Sequence, residues 1–278
     1  MPELTDISVI RALCEKYDFA LSKGFGQNFI INPGIPTKIV DASGVDKRYG
    51  VIEIGPGIGV LTKELAKRAA KVVSIEVDER LPPLLAETMA GVDNFKLVLQ
   101  DVLKVDLGAV TKHRPFTVAA NLPYYITSPI VMKLLEERLP IEHITVMVQK
   151  EAAARLCAPV GSRDAGAVTV AVNYYADAKK LFDVSAGSFM PAPKVDSSVI
   201  RLDIRPDPPV EISDEKFFFR VVKAAFGQRR KTASNSLSAG LGIPKDKINA
   251  AIASVTTRSH ATLRETVFVV IGMSEIRC

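Results

Sequence analysis

Residues 118–127, VAANLPYYIT, end a short apolar run with side chains that can hold a flat ligand. Asn121 favours a turn and Pro123 restricts the residue before it to extended backbone, so the segment could simply be a strand that ends in a turn. The alternative is a binding loop, because the Asn121 side-chain oxygen and the Leu122 carbonyl can both accept hydrogen bonds from one amino group. Tyr124 offers a ring that can stack on a base. This pattern suits an aromatic amine, which is a weak nucleophile because its lone pair is delocalised into the ring.

A glycine-rich segment, VIEIGPGIGVLT at 51–62, joins a predicted strand to a predicted helix. Gly55 and Gly57 begin a G-x-G-x-G pattern that permits a tight turn and lets a ligand approach the backbone at the start of the helix. The segment is not a phosphate-binding P-loop, because no Gly-Lys-Ser/Thr follows, and it lacks the G-x-G-x-x-G spacing of the dinucleotide fingerprint. A turn with only a packing role is the alternative.

Acidic residues follow the next two predicted strands. Glu76 lies 21 residues after Gly55, where a carboxylate can accept hydrogen bonds from both hydroxyls of a ribose. Asp101 lies where a carboxylate can meet the exocyclic amine of an adenine. Either could instead be a solvated carboxylate at a strand end. Because the carboxyl ends of parallel strands meet at one edge of a sheet, we expect Gly55, Glu76, Asp101 and Asn121 to surround one ligand site.

These residues are placed by an alternation of short β-branched runs and helical stretches, which predicts an α/β fold with a doubly wound, mostly parallel sheet. The predicted strands are VIEI (51–54), VVSIEV (72–77), FKLVLQ (95–100), FTVAA (116–120) and HITVMVQ (143–149). Helices are predicted between them at LTKELAKRAA, LPPLLAETMA and SPIVMKLLEERL. A further strand is predicted at 195–204, antiparallel at the far end of the sheet.

The Pro-rich stretch RPDPPV at 205–210 predicts a link between two domains. The later segments DEKFFFRVVKAAF, KTASNSLSAGL, PKDKINAAIAS and LRETVFVVIG all favour helix. The sequence therefore predicts a domain of residues 1–205, with an N-terminal helical extension, and a small helical domain of residues 206–278.

Composition indicates a soluble globular protein. Hydrophobic residues make up 47% of the 278 residues, and no apolar run approaches the roughly 18 residues that span a bilayer. The first twenty residues resemble an amphipathic helix and neither a signal nor a transit peptide, so we expect a cytoplasmic protein. Three cysteines and three histidines are scattered without metal-ligand spacing, so we expect no metal.

The net charge is +5, and its placement is informative. Residues 206–278 hold 11 Lys and Arg against 7 Asp and Glu, so nearly all of the excess lies in the last quarter of the chain. Such a bias is often only a solvated face, and it indicates an anionic partner only where the charges converge.

Several segments in fixed order carry a family resemblance. They are GFGQNFIIN (24–32), EIGPGIGVLT (53–62), IEVD (75–78), QDVL (100–103), NLPYYI (121–126), FMPAPKVDSSV (189–199) and AFGQRRKTASNSL (225–237). The chain resembles the S-adenosylmethionine-dependent rRNA adenine N6,N6-dimethyltransferases, which modify two adjacent adenosines in a hairpin near the 3′ end of small-subunit rRNA. The segments span almost the whole chain, and together they are specific. The resemblance implies a Rossmann-like methyltransferase sheet with a C-terminal helical domain.

The resemblance also assigns roles residue by residue. The implied cofactor-binding residues are Asn28, Ile30, Gly55, Gly57, Glu76, Asp101, Val102 and Asn121. Asn121, Leu122, Tyr124 and Phe189 would hold the target base, with Tyr124 and Phe189 stacking on its two faces. For Phe189, a rigid loop that packs an aromatic ring is an equal alternative.

The partner implied by the resemblance is small-subunit rRNA or an assembling small ribosomal subunit, with no membrane and with the protein as a monomer. The basic residues expected to contact RNA phosphates are Lys223, Arg229, Arg230 and Lys231. Each of them could instead cap a helix or pair with a carboxylate.

Three other functions are compatible with parts of this pattern. A large-subunit rRNA adenine methyltransferase that confers macrolide resistance would share the cofactor site, although the NLPY, PAPKVDSS and GQRRKT segments favour the small-subunit enzyme. If the protein were a ribosome-assembly factor on the same fold, the two hydrogen-bond acceptors Asn121 and Leu122 would have no catalytic role. A nicotinamide-dependent oxidoreductase would account for the glycine turn and Glu76 but not for NLPY.

Overall fold

The computed structural model describes residues 3–19, 27–111, 115–228 and 231–255. Within these ranges the chain forms a seven-stranded sheet, with strands in the order β4-β3-β2-β5-β6-β9-β7, and a two-stranded ladder of β1 and β8. The strands are β1 (Phe29–Ile30), β2 (Gly50–Ile54), β3 (Lys71–Glu76), β4 (Phe95–Leu99), β5 (Phe116–Asn121), β6 (Ile141–Gln149), β7 (Ala176–Val184), β8 (Phe189–Met190) and β9 (Ser197–Ile204).

The five strands from β2 to β6 run parallel to one another, and β9 pairs with β6 in the antiparallel direction. After β4 the chain returns to the middle of the sheet, so that β5 lies on the other side of β2. Open α/β sheets bind ligands beside the carboxyl ends of the strands where the order reverses in this way. The predicted doubly wound, mostly parallel α/β fold is confirmed.

Helices connect and cover the strands. Among the described residues they are α1 (Ile7–Lys16), α2 (Gly34–Ser43), α3 (Val60–Arg68), α4 (Leu81–Thr88), α5 (Leu107–Thr111), α6 (Thr127–Glu136), α7 (Lys150–Leu156), α8 (Ala167–Tyr175), α9 (Glu215–Phe226), α10 (Ala233–Leu241) and α11 (Lys245–Val255). None of the helices in the described ranges is both long and apolar enough to cross a membrane.

The core packs these helices against the sheet. All five residues of β2 are buried, as expected for a central parallel strand that helices cover on both faces. One apolar cluster includes Ile39 of α2 and Leu65 of α3, and a second includes Ile10 of α1 and Leu84 of α4. The loops that follow β2, β3, β4 and β5 leave this packed sheet at one edge, because the four strands are parallel.

Each predicted strand from 51–54 to 143–149 is present, and the strand predicted at 195–204 is β9, antiparallel to β6 as expected. It is not the last strand of the sheet, because β7 lies beyond it. The sequence analysis missed β7, whose exposed Lys179 and Lys180 obscure the alternation of apolar residues. Charged side chains of this kind are common on edge strands, where they discourage pairing with another chain.

The helices predicted at the two ends of the chain are partly observed. Helix α1 occupies ten of the first twenty residues, and the Asp6 side chain caps it by accepting a hydrogen bond from the Ser8 N–H at 2.7 Å. Helices α9, α10 and α11 match three of the four helices predicted after residue 206. The fourth, LRETVFVVIG, lies outside the described residues.

The described residues cluster into two compact units. One comprises those of Met1–Ala153 and Asp177–Ile204, and the other comprises those of Ala154–Ala176 and Arg205–Cys278. Helix α8 thus groups with the C-terminal helices. The predicted division into a cofactor-binding domain of residues 1–205 and a helical domain of residues 206–278 also assigns a function to each domain, and it stays a prediction.

The second unit is held together by its own close contacts. A Cβ atom at Gly240 of α10 would lie 2.5 Å from the Ala224 Cβ of α9, so only glycine allows these helices to approach as they do. The Ser236 hydroxyl donates a hydrogen bond to the Ala224 carbonyl at 2.7 Å. Phe218 packs beside Tyr174 of α8, with the ring centres 5.8 Å apart. The unit therefore has an apolar core of its own.

Candidate active site

A cavity lies at the carboxyl edge of the sheet, where β2, β3, β4 and β5 end, and we refer to it as the carboxyl-edge cavity. The structure brings ten of the predicted cofactor and catalytic residues to its wall. They are Asn28, Ile30, Gly55, Gly57, Glu76, Asp101, Val102, Asn121, Leu122 and Tyr124. The prediction that these strand ends surround one site agrees with this placement. Their individual roles stay predictions.

The glycine turn that follows β2 forms one side of the cavity. Gly55 and Gly57 have φ values of +71° and +56°, in the left-handed region that favours glycine. A Cβ atom at Gly55 would meet no atom within 4 Å, although Gly55 lines the cavity. A side chain there would therefore project into open space that a ligand can use. Helix α3 begins directly after the turn, at Val60.

The Glu76 carboxyl group is held by backbone N–H groups at the end of β3. Its Oε1 accepts hydrogen bonds from the N–H of Val77 at 2.8 Å and of Asp78 at 2.9 Å. Burial raises the pKa of Glu76, and these hydrogen bonds counteract the shift in part. The carboxyl group is thus fixed at the cavity wall, where it can accept hydrogen bonds from a ligand's hydroxyl groups.

Asp101 and Val102 follow β4 on the same edge. The Asp101 Oδ1 accepts a hydrogen bond from the Leu103 N–H at 2.9 Å, which shapes a short turn. Val102 is buried and lines the cavity. A carboxylate beside an apolar side chain can receive a flat ring and hydrogen-bond an amino group on its edge.

The two proposed acceptors after β5 lie in a segment that hydrogen bonds attach to its neighbours. The Asn121 Nδ2 donates to the Asn28 carbonyl at 3.3 Å, which leaves Oδ1 as the acceptor of this amide group. The Leu122 N–H donates to the Met147 carbonyl of β6 at 3.0 Å. The Asn121 amide is therefore oriented before a ligand arrives, and the backbone that leads into the Leu122 carbonyl is anchored to β6.

Tyr124 is anchored through its hydroxyl group. Its oxygen lies 2.7 Å from the Oγ of Ser197, a fully buried residue at the start of β9. Burial raises the pKa of Tyr124, so the phenol stays neutral near pH 7. The sequence analysis did not single out Ser197, although it lies in the quoted segment FMPAPKVDSSV, because sequence spacing does not show that β9 reaches Tyr124.

Phe189 is the one predicted catalytic residue that does not line the cavity. It lies in β8, pairs with Ile30 of β1 and is buried in the same apolar cluster as Met147. In the structure Phe189 packs against β1, the strand that follows Asn28. The stacking of Phe189 on a base therefore stays a prediction.

Glu53 is a cavity residue that the sequence analysis missed. Its side chain is only 1% exposed, and its Oε2 accepts hydrogen bonds from the Thr62 hydroxyl at 2.7 Å and the Ser74 hydroxyl at 2.6 Å. Burial raises the pKa of Glu53 to about 7. The signal that could have revealed it was an acidic residue inside a strand predicted to be fully buried.

The predicted RNA-binding residues belong to the second compact unit. Lys223 is exposed in the last turn of α9, and Lys231 is exposed before α10. Arg229 and Arg230 lie outside the described residues. In the ranges that the structure describes, no three or more His, Cys, Asp or Glu side chains are grouped so that they could hold a metal ion.

Comparison with known protein families assigns the chain to one of them. The family model described as ribosomal RNA adenine dimethylase matches residues 19–265. The chain belongs to this family. The match covers the carboxyl-edge cavity and most of the helical region after it.

Curated relatives of the ribosomal RNA adenine dimethylase family are similar over most of their length. The chain is 51% identical over 242 residues to the ribosomal RNA small subunit methyltransferase A of Geobacillus thermodenitrificans, covering 85% of this chain and 83% of that protein. It is 47% identical over 253 residues to the protein of the same name from Bacillus cytotoxicus, covering 89% and 87%.

Solved structures agree with the family assignment. The 23S rRNA methyltransferase ErmE superposes with a TM-score of 0.67 and 28% identity, covering 89% of this chain and 100% of that chain. A dimethyladenosine transferase from Plasmodium falciparum superposes with a TM-score of 0.66 and 26% identity, covering 86% of each chain. The predicted methyltransferase fold is confirmed.

The ribosomal RNA adenine dimethylase family uses S-adenosylmethionine, and the residues of the cavity fit that molecule. The open space at the Gly55 Cα can take the methionine part. The anchored Glu76 carboxyl group can accept hydrogen bonds from the ribose hydroxyls. Asp101 can accept a hydrogen bond from the adenine amine, with Val102 beside the ring. The cavity wall thus offers space for the methionine part and acceptor groups for the ribose and the adenine.

Proposed function

We propose that this protein is an S-adenosylmethionine-dependent rRNA adenine N6,N6-dimethyltransferase that acts on small-subunit rRNA. One observation carries the proposal: the acceptor pair of Asn121 and Leu122 lines the same cavity as the glycine turn and Glu76. A cofactor site alone would fit many methyltransferases, whereas two neighbouring acceptors beside a tyrosine ring suit an aromatic amine. The names of relatives at about half identity support the same substrate.

Different residues along the cavity would bind different parts of the cofactor. When bound, S-adenosylmethionine supplies a methyl group on a positively charged sulfonium, which is already activated for attack by a weak nucleophile. In our proposal the residues that hold it are Gly55 and Gly57 at the methionine part, Glu76 at the ribose, Asp101 and Val102 at the adenine, and Asn28, Ile30 and Asn121 around the rest.

The target adenosine must leave its stack to reach the cavity, at a cost on the order of a few kcal/mol. Tyr124 then stacks on the base, while Asn121 Oδ1 and the Leu122 carbonyl accept the two hydrogens of the N6 amine. These contacts hold N6 in line with the methyl group. Placement of this kind accelerates a transfer because the entropy of bringing the reactants together has already been lost on binding.

The reaction does not require a strong base among these residues. The Tyr124 phenol stays protonated because burial raises its pKa, so it stacks and does not remove a proton. Asn121 and the Leu122 carbonyl are neutral acceptors. In our proposal the methyl carbon would exchange its bond to sulfur for a bond to N6, with the electron pair of the broken bond staying on sulfur. The proton would then leave N6 for solvent.

The finer points of the proposal concern the substrate and its surroundings. We infer that two adjacent adenosines of one hairpin near the 3′ end each receive two methyl groups, and that Phe189 turns onto the second face of the base. Lys223, Arg229, Arg230 and Lys231 would contact phosphates and position the RNA without reading its sequence. The protein would work as a monomer in the cytoplasm, where small subunits assemble.

The proposal is tested by transfer of labelled methyl groups to unmodified small ribosomal subunits and, separately, to large-subunit rRNA. We expect label to appear as dimethyladenosine in the small subunits. Label confined to large-subunit rRNA would move the protein to the large-subunit enzymes and leave the chemistry of the cavity intact. Binding of S-adenosylmethionine with no transfer to either RNA would contradict catalysis and favour an assembly role.

A further inference from the structure

Tyr125, the residue after the base-holding Tyr124, is unusually exposed. Its exposed fraction of 57% is the highest among the large hydrophobic side chains in the described residues, although it lines the carboxyl-edge cavity. Within the described part of the chain its hydroxyl group has no hydrogen-bond partner. An exposed aromatic ring on a cavity wall offers a face on which a nucleic acid base can stack.

The neighbouring exposed side chains do not account for Tyr125. Val77 and Leu103 also line the cavity and are exposed. They lie next to the residues proposed to bind the cofactor, since Val77 follows Glu76 and Leu103 lies two residues after Asp101. Tyr125 instead continues the loop that begins with the acceptors Asn121 and Leu122. It therefore belongs to the half of the cavity that receives the target base.

The backbone keeps Tyr125 in this position. Residues Tyr124–Ile126 form one turn of 3-10 helix, in which successive side chains point about 120° apart. The Tyr124 and Tyr125 rings consequently cannot face the same base. The turn is closed by the Ile126 N–H and the Thr127 hydroxyl, which donate to the Pro123 carbonyl at 3.3 and 3.2 Å.

A nucleotide next to the target has chemistry that suits this ring. When the target adenosine enters the cavity, the base beside it loses a stacking partner and is left at the cavity mouth with one face uncovered. Stacking of a base on an aromatic side chain stabilises a complex by about 1–3 kcal/mol and tolerates any base. We propose that Tyr125 is the stacking platform for the nucleotide adjacent to the target adenosine, an inference that rests on the proposed function.

The test is single-turnover methylation of unmodified small ribosomal subunits at varied subunit concentration, with Tyr125→Ala, Tyr125→Phe and Tyr125→Leu beside the wild type. Tyr125→Ala should raise the half-saturating subunit concentration about tenfold, within the range of about 5- to 150-fold that the stacking energy corresponds to. Tyr125→Phe should restore most of the affinity. Tyr125→Leu should not restore the affinity, because the leucine side chain is apolar but not aromatic.

Two further measurements separate stacking from a loss of folding or of cofactor binding. The affinity for S-adenosylmethionine and the thermal midpoint should be the same in the three variants and the wild type. Leu181→Ala is the matched control, because Leu181 is also an exposed apolar residue but lies in β7 and does not line the cavity. It should leave the half-saturating concentration unchanged.

The outcomes distinguish this inference from the proposed function. If the wild type methylates no small subunits, the proposed function itself has failed. If the wild type methylates them and Tyr125→Ala has the same half-saturating concentration, only the platform is overturned. A Tyr125→Leu variant that binds as well as Tyr125→Phe would also overturn it, since the contact would then be apolar and not stacking.

Discussion

The hydrogen bond between Tyr124 and Ser197 links the loop after β5, which in our proposal holds the target base, to the antiparallel strand β9. Ser197 is fully buried, so its loss would leave the Tyr124 hydroxyl without its partner in a half-buried place. Removing one partner of such a bond costs about 1–3 kcal/mol. We therefore regard Ser197 as a positioning residue, which acts on the reaction only through the Tyr124 ring.

We predict that Ser197→Ala lowers the rate of methyl transfer about tenfold and leaves the affinity for S-adenosylmethionine nearly unchanged. Tyr124→Phe keeps the ring and removes the same bond, so it should have a similar effect. The double variant should be no worse than either single variant, because both substitutions remove one interaction. Additive losses in the double variant would show that Ser197 acts independently of Tyr124.

Glu53 makes stability depend on pH. Its pKa in the folded protein is about 7, against an ordinary value of 4.5, because burial disfavours the charged form. Between these two values the folded state binds more protons than the unfolded state. The contribution of Glu53 to stability is therefore full below pH 4.5 and is lost as the pH rises through 7.

We predict that the free energy of unfolding of the wild type, compared with that of Glu53→Gln, falls by about 2–3 kcal/mol between pH 5 and pH 8. Glutamine has nearly the same shape and cannot ionise, so the difference between the two proteins isolates this carboxyl group. Urea unfolding at several pH values measures it. A difference that does not change with pH would contradict the raised pKa.

At the scale of elements, the turn between β2 and α3 brings the backbone of Gly55 to the cavity wall. Gly91 offers a matched control, since it also has a positive φ, of +76°, and a Cβ there would also meet no atom within 4 Å. Gly91 does not line the carboxyl-edge cavity. The two glycines therefore share the backbone requirement and differ in access to the ligand.

We predict that Gly55→Ala and Gly91→Ala each lower the free energy of unfolding by roughly 1 kcal/mol, because alanine is strained at positive φ. Only Gly55→Ala should weaken binding of S-adenosylmethionine, by tenfold or more, since its methyl group projects into the ligand's space. Calorimetric titration of both variants measures this. Equal affinities in the two variants would mean that the cofactor does not approach Gly55.

The sequence predicted the elements that obey simple rules and missed those that depend on neighbours in space. Strands β2 to β6 are apolar or β-branched runs, and the residues at their carboxyl ends meet because parallel strands end at one edge. Edge strand β7 could not be recognised, because its exposed lysines hide the pattern. Packing of the Phe189 ring was one of two alternatives that the sequence left open, but its partner Ile30 could not be predicted. The contact of Ser197 with Tyr124 could not be predicted either, since both contacts join segments that are distant in the sequence.

At the scale of the whole molecule, the excess of positive charge lies in the last quarter of the chain, which includes Lys223 and Lys231. Both lysines are exposed, so each can reach a phosphate group. We predict that the double variant Lys223→Ala, Lys231→Ala binds small subunits more weakly and with a shallower salt dependence. The slope of log affinity against log salt should fall by about 1.5, because two fewer counterions are released.

Lys67→Ala is the control for this loss of charge. Lys67 is exposed on α3, where it pairs with Glu64 at 2.6 Å, and it is not among the predicted RNA contacts. It should leave the slope unchanged. An unchanged slope in the double variant as well would mean that neither Lys223 nor Lys231 contacts a phosphate group.

The central claim is that the acceptor pair after β5 holds the amine that receives the methyl group. The most direct test is the single-turnover rate of dimethyladenosine formation in unmodified small subunits by Asn121→Ala and the wild type, with S-adenosylmethionine affinity measured on the same samples. We predict a rate at least about 100-fold lower in Asn121→Ala, with cofactor affinity within about tenfold of the wild type. Dimethyladenosine formation by Asn121→Ala at the wild-type rate would contradict the account.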